Sequence, residues 1–245
     1  MKICVAQTRP VKGDIQSNIE RHKKLINLAV SNGADAIIFP ELSITGYEPG
    51  LAKALATDQD DNRFDEFQQV SDTRQITIGV GMPTKTNTGI TIGMILFQPH
   101  KARLVHSKKY LHPDEEEFFT SGENFGCIPG HKANIALAIC YELSVPEHSE
   151  NAYKSGAEIY IASVAKPGDG VEKALDSLSE IAKKYGMTVL MSNSIGHCDN
   201  FESAGKTSIW NNKGVLAGQL NDSDEGILII NTGTQEVTEK ILWNK

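Results

Sequence analysis

The first forty residues alternate between strand and helix signals, and this order constrains the fold more than any other feature. Residues 2–7 are short and apolar, as in a buried strand. The next core-facing side chains are spaced by four, three, four and three residues, which places them on one helix face: Ile15, Ile19, His22, Ile26 and Ala29. Asp14, or a capping box at Ser17 and Glu20, can begin this helix. Residues 36–39 form a second strand, and such a βαβ unit favours parallel pairing.

The middle of the chain predicts antiparallel hairpins, and the later part returns to alternation. Hairpin strands are expected at 76–82, 90–97 and 102–106, separated by turn-rich residues 83–89 and 99–101. Further strands are expected at 134–139, 158–162, 188–191, 207–210, 215–219 and 226–231. Helices are expected from Pro146 to about 155 and over 171–182. No linker or composition shift divides the chain, so we expect a single domain over 1–245, with mixed α/β sheets covered by helices on their outer faces.

Charge and cysteine usage narrow the functional classes. The net charge of −7 disfavours general binding to nucleic acid or to acidic membranes. The longest apolar run, residues 135–141, is far shorter than the roughly 20 residues of a membrane helix. The N-terminus contains no apolar stretch long enough for a signal peptide. The four cysteines form no CxxC pair and the histidines no HExxH or HxxxH pair, so we expect no metal and a reducing, cytoplasmic setting.

Three residues that could carry chemistry stand at the ends of predicted strands: Glu41, Lys108 and Cys140. A thiol has a pKa of about 8.5, so at neutral pH it needs a base or a cation beside it. A carboxylate can remove its proton, and a lysine can stabilise the oxyanion formed when the thiolate attacks a carbonyl. The three residue types therefore suffice for acyl transfer from an amide. Each also has a simpler interpretation, as a small buried thiol, a solvated loop carboxylate and a surface lysine.

Three short motifs surround these residues and appear in the order Glu, Lys, Cys. Residues 39–47 read Phe-Pro-Glu-Leu-Ser-Ile-Thr-Gly-Tyr, residues 108–111 read Lys-Lys-Tyr-Leu, and residues 139–147 read Ile-Cys-Tyr-Glu-Leu-Ser-Val-Pro-Glu. Together they resemble the three signatures of the nitrilase, or carbon–nitrogen hydrolase, superfamily. The resemblance implies a four-layer α-β-β-α sandwich and no cofactor. It also implies that Glu41 is the general base, Cys140 the nucleophile and Lys108 the oxyanion donor, with the Tyr141 N–H as second donor.

The resemblance extends to a second glutamate and to the substrate pocket. Family members have a glutamate near the lysine, and Glu115 lies seven residues after Lys108 and seven before Gly122; its neighbours Glu116 and Glu117 keep the register open. The residues expected to line the pocket are Tyr47, Tyr110, Tyr141, Ser163 and Asn193. No arginine stands near Asn193 to bind a carboxylate; Lys166 could do so, although a surface lysine is the commoner case.

We therefore expect a hydrolase that cleaves a non-peptide C–N bond of a small-molecule amide through a cysteine thioester. An amidase is favoured because Cys140-Tyr141-Glu142 resembles family amidases more than the Cys-Trp-Glu of true nitrilases. A nitrilase, an N-carbamoyl hydrolase and a non-catalytic binding protein on the same fold are the alternatives. Family members usually form dimers through helices, so we expect a homodimer that uses the helix after Pro146 and the helix near 171–185.

Overall fold

The computed structural model describes residues 1–123, 127–129 and 133–242. The helices are α1 (Ile15–Ser31), α2 (Ala52–Leu55), α3 (Asp65–Arg74), α4 (Pro146–Lys154) and α5 (Gly168–Tyr185). The strands are β1 (Lys2–Gln7), β2 (Ala36–Ile38), β3 (Thr77–Thr86), β4 (Gly89–Phe97), β5 (Leu104–Ser107), β6 (Ile128–Pro129), β7 (Asn134–Ile139), β8 (Ile159–Val164), β9 (Thr188–Asn193), β10 (Ile195–Cys198), β11 (Phe201–Ala204), β12 (Ser208–Trp210), β13 (Leu216–Gln219), β14 (Gly226–Asn231) and β15 (Val237–Ile241). No helix in this described part is both long and apolar enough to cross a membrane.

The strands form two large mixed sheets. The first has the order β15-β14-β1-β2-β3-β4-β5, and the second has the order β13-β12-β9-β8-β7-β6. In the first sheet β1, β2 and β3 run parallel, as the βαβ pattern predicts. In the second, β7, β8 and β9 run parallel. The remaining neighbours pair antiparallel, and β10 with β11 forms a separate two-stranded hairpin.

Alternating side chains along the strands build the layers. In β1, Ile3 and Val5 pack between the two sheets, whereas Cys4 and Ala6 face the outer helices of the first sheet. The helix stripe predicted from the sequence, including Ile19 and Ile26, covers that outer face. On the second sheet, α4 and α5 cover the opposite outer face. Three apolar clusters therefore separate four layers, and the expected α-β-β-α sandwich is confirmed.

Buried serines connect the two sheets near the ends of the parallel strands. Ser163 donates a hydrogen bond to Phe39 O at 2.8 Å. Ser192 donates to Ala6 O at 2.6 Å and lies 3.1 Å from Ile38 O. Hydroxyl groups removed from water are costly unless they are paired. These bonds therefore fix the spacing of the two sheets where β2 and β8 end.

The predicted position of the turn between β3 and β4 was wrong. β3 continues through Pro83 to Thr86, so the connection is the two residues 87–88 and not 83–89. A cross-strand hydrogen bond between the Thr84 and Thr91 hydroxyls, at 2.8 Å, supports this extension. The sequence patterns also gave no prediction of α3, in which only Phe67 and Ser71 are buried. A mainly polar helix has too weak a periodic pattern to be recognised.

Candidate active site

The Glu41 side chain enters the interior because the backbone after β2 passes unusually close to β3. A Cβ atom at Gly81 would lie 2.3 Å from Leu42 N and 2.5 Å from Pro40 O, so no larger residue fits there. Gly81 O accepts a hydrogen bond from Ile44 N at 3.0 Å. This contact holds the turn that carries Glu41, whose side chain is fully buried.

Lys108 follows β5 and is also fully buried. Its backbone N donates to Ile92 O, and its carbonyl O accepts from Gly122 N, both at 2.8 Å. Its ammonium Nζ lies 2.8 Å from Glu41 Oε1 and 2.7 Å from Glu115 Oε1. The lysine therefore bridges two carboxylates in the protein interior. Such a charge is stable there because it is both paired and hydrogen-bonded.

Glu115 completes this cluster from a short 3₁₀ turn, Pro113–Glu115. Besides Lys108, its Oε1 accepts a hydrogen bond from the Tyr47 hydroxyl at 2.9 Å. Its Oε2 accepts from His112 N at 2.8 Å. Glu116 and Glu117 are exposed. Of the three adjacent glutamates, Glu115 alone therefore reaches the lysine.

Cys140 lies at a strained turn where β7 ends. Its φ of +47° is in the left-handed region, which costs a residue with a side chain about 1–2 kcal/mol. The Glu142 carboxylate stabilises this turn: its Oε2 accepts from Ile139 N and its Oε1 from Lys109 N, both at 2.8 Å. One buried carboxylate thus ties the cysteine turn to the backbone beside Lys108. Cys140 itself stays partly exposed.

The Tyr141 N–H follows Cys140 in the 3₁₀ helix Cys140–Ser144. The first N–H groups of a helix lack partners within it, so they are available to an oxyanion. A pair of donors, this N–H and the Lys108 ammonium, matches the requirement for stabilising a tetrahedral intermediate.

The electrostatics separate the roles of these groups. Burial raises the pKa of Glu41 to about 7, although Lys108 acts to lower it. Burial also raises the pKa of the Cys140 thiol to about 11, with Glu41 adding to the effect. Burial alone would lower the pKa of Lys108, but Glu41, Cys140 and Glu115 raise it above its usual value. At neutral pH the thiol is therefore protonated, the lysine is charged, and Glu41 is poised to exchange a proton.

Glu41 has one oxygen free for that exchange. Its Oε1 is bound to Lys108, whereas its buried Oε2 has no hydrogen-bond partner among the described residues. The Cys140 thiol, as a weak hydrogen-bond donor, acts to lower the pKa of Glu41.

The other residues predicted to line the pocket fall into two groups. Tyr47 is part of the cluster through Glu115, Tyr110 is half-buried, and Tyr141 is exposed. Ser163 and Asn193 are fully buried, and their polar atoms are already bonded to the protein: Ser163 to Phe39 O, and Asn193 to the backbone around Lys166. Substrate contact by any of the five stays a prediction.

Sequence reasoning missed two residues that shape the site, Gly81 and Glu142. The sequence gives no signal for Gly81, because its close approach to the Glu41 turn cannot be recognised before the fold is known. Glu142 is within the third motif, where it contributes to the resemblance but receives no structural role. A carboxylate two residues after a strand-end cysteine is the signal that could have indicated its role.

Fold and site together define a class: an α-β-β-α protein with a buried Glu-Lys-Glu cluster beside a partly exposed cysteine. A family model described as carbon-nitrogen hydrolase matches residues 2–240. The chain therefore belongs to the carbon–nitrogen hydrolase family.

Similar proteins carry several different names. A glutamine-dependent NAD(+) synthetase of Acinetobacter baylyi is 26% identical over 89% of this chain, which spans only 41% of that protein. A "hydrolase in agr operon" of Staphylococcus aureus is 25% identical, covering 98% of this chain and 94% of its own length. The solved amidase from Nesterenkonia sp. AN1 has a TM-score of 0.85 at 23% identity, over 94% of this chain and 92% of that one. This last similarity concerns the fold.

Proposed function

We propose that this protein is a cysteine amidase that hydrolyses small-molecule amides through a thioester on Cys140. The observation that carries the proposal is the Lys108 ammonium held between Glu41 and Glu115, together with the partly exposed Cys140 at a strained turn. A binding protein gains nothing from burying a base next to a thiol, whereas acyl transfer requires both groups. In a solved structure of a mutant of the Nesterenkonia amidase, the acetamide moiety of fluoroacetamide is bound covalently to the active-site cysteine of that protein.

The first half-reaction forms the acyl-enzyme. Cys140 Sγ attacks the amide carbonyl carbon while Glu41 takes the thiol proton. The negative charge that develops on the carbonyl oxygen is stabilised by the Lys108 ammonium and the Tyr141 N–H. The intermediate then breaks its C–N bond, Glu41 returns the proton to the departing nitrogen, and ammonia or an amine leaves. The acyl group remains on Cys140 as a thioester.

The second half-reaction reverses these roles with water. Glu41 takes a proton from a water molecule, whose oxygen attacks the thioester carbonyl carbon. The C–S bond breaks, the proton passes to the Cys140 sulfur, and a carboxylic acid is released. Glu115 acts as a positioning residue, because it holds both the Lys108 ammonium and the Tyr47 hydroxyl.

The experiment is a panel of short amides, nitriles and N-carbamoyl compounds assayed for ammonia release, with Cys140→Ala as control. We expect hydrolysis of amides that the control loses. Turnover of nitriles that is faster than turnover of amides would indicate a nitrilase instead. Turnover of N-carbamoyl compounds that is faster than turnover of amides would indicate an N-carbamoyl hydrolase. A protein that hydrolyses none of them, and whose Cys140 reacts with iodoacetamide no faster than a free thiol at any pH, would be a binding protein instead.

We also propose a homodimer in a reducing, cytoplasmic setting. Cys140 forms no disulfide, as a cysteine nucleophile requires. The helices α4 and α5 are the expected contact surfaces, and Tyr153 of α4 is 52% exposed. Sedimentation at micromolar concentration should give twice the chain mass of 26.7 kDa. A Tyr153→Glu variant should shift that equilibrium toward the single chain, and an unchanged sedimentation profile would place the interface elsewhere.

A further inference from the structure

Lys166 belongs to a chain segment that runs past the nucleophile. It follows Ala165, whose carbonyl oxygen is 4.0 Å from Cys140 Sγ. The segment that carries both residues continues directly from β8, which ends at Val164. Any substrate bound to Cys140 therefore lies close to this segment.

The backbone of Lys166 is fixed on both sides. Its N donates to Asn193 Oδ1 at 3.0 Å. Its carbonyl O accepts from Ala204 N at 2.9 Å and from Ser203 Oγ at 3.2 Å. Asn193 also donates to that carbonyl at 3.3 Å. These bonds come from β9 and from the hairpin strand β11, so the start of the Lys166 side chain is preorganised.

The Lys166 ammonium has no partner in the described part of the chain. Its side chain is half-buried and forms no hydrogen bond or ion pair with a described residue. The nearby Lys206, by contrast, is paired with Glu172 at 2.7 Å. Burial raises the pKa of the Cys140 thiol, and Lys166 and Lys108 are the two cations that act against this rise. Lys166 thus places an uncompensated positive charge within electrostatic range of the sulfur.

We propose that Lys166 determines specificity by binding a carboxylate on the acyl part of the substrate, so that the enzyme prefers monoamides of dicarboxylic acids to uncharged amides. This inference rests on the proposed amidase function. A primary amide carries no further group on its leaving nitrogen. A negatively charged group of the substrate that binds Lys166 must therefore be on the acyl chain. A lysine ammonium binds a carboxylate as a point charge, and half-burial strengthens this attraction relative to open solvent.

The test compares uncharged and anionic amides of matched length: butyramide with succinamate, and pentanamide with glutaramate. The readout is the ratio of kcat/KM for the anionic amide to that for the uncharged amide. In the unmodified protein we expect a ratio of about 10 or more for at least one pair, as for a charge-assisted hydrogen bond. Lys166→Met should lower this ratio at least about fivefold, and Lys166→Glu should lower it further. Lys173→Met, in an exposed lysine of α5, is the matched control and should keep the ratio.

The outcomes separate this inference from the amidase proposal. If the protein hydrolyses uncharged amides equally well, or if Lys166→Met keeps the ratio, the role of Lys166 is overturned and the amidase proposal stands. If no amide is hydrolysed, binding of succinamate and butyramide to Cys140→Ala is measured by calorimetry. Tighter binding of succinamate that is lost in the Cys140→Ala, Lys166→Met double variant would support carboxylate recognition without amidase activity. Equal binding of both compounds would overturn both proposals.

Discussion

The replacement of Lys108 by methionine removes the central charge of the site while nearly keeping its volume. It has two effects that can be calculated separately. Loss of one preorganised oxyanion donor lowers turnover by about 10²–10³, or roughly 3–4 kcal/mol. Loss of the cation also leaves the Glu41 and Glu115 carboxylates in the interior without the counter-ion that they share. Breaking a buried pair in this way costs about 3–5 kcal/mol of stability.

The second effect has a defined pH dependence. Without Lys108, the folded-state pKa of Glu41 rises further, because its carboxylate loses a stabilising cation. A carboxyl group whose folded pKa lies above its unfolded value stabilises the fold below the unfolded pKa, and loses that contribution as pH rises through the folded pKa. Lys108→Met should therefore be more destabilised at about pH 8 than at about pH 5.

The assay combines ammonia release with urea unfolding at both pH values. Lys109→Met is the matched control, because Lys109 is adjacent and exposed and its Nζ lies 5.4 Å from the centre of the Tyr110 ring. We expect the control to keep turnover within a few fold and stability within about 0.5 kcal/mol. Greater loss of turnover in Lys109→Met than in Lys108→Met would refute the assignment of the oxyanion donor. Unchanged stability of Lys108→Met at both pH values would refute the buried ion cluster.

Three further predictions follow from the same contacts. Glu115→Gln should lower turnover about 10²-fold, because it weakens the hold on the lysine, whereas the exposed Glu116→Gln should stay within a few fold; equal rates would contradict this. Glu142→Gln should lower kcat about tenfold or more with little change in KM, because it loosens the cysteine turn; the exposed Glu147→Gln is its control, and a change in KM alone would count against this. The pH profile of kcat/KM should rise with an apparent pKa of about 7, since Glu41 must be ionised to accept the thiol proton; a rise near about 4.5 would disagree.

The sequence predicts the layers well because they depend on periodic apolar patterns. The stripe that begins at Ile15 predicts one buried helix face, and that face packs against the first sheet as expected. The hairpin turn was misplaced because Pro83 and the threonines after it resemble turn residues locally. Cross-strand pairing of Thr84 with Thr91 outweighs that local preference.

The candidate site was predicted through resemblance more than through physics. Residue type and strand-end position suggest that Glu41, Lys108 and Cys140 could cooperate, but spacing along the chain cannot show that their side chains meet. The hydrogen bonds of Glu142 to Lys109 N and Ile139 N could not be predicted for the same reason, since Glu142 and Lys109 are more than thirty residues apart in the chain. Such contacts depend on the packing of one sheet against the other, which no local pattern encodes.

The central claim is a thioester on Cys140, and trapping it tests the account most directly. The protein is mixed with an amide that it hydrolyses, such as butyramide. The reaction is quenched in acid during turnover, and the protein is examined by intact-mass and peptide mass spectrometry. We predict a mass increase of one butyryl group, located on the peptide that contains Cys140 and absent from Cys140→Ala. An acyl group on another residue, or full ammonia release by Cys140→Ala, would contradict the account.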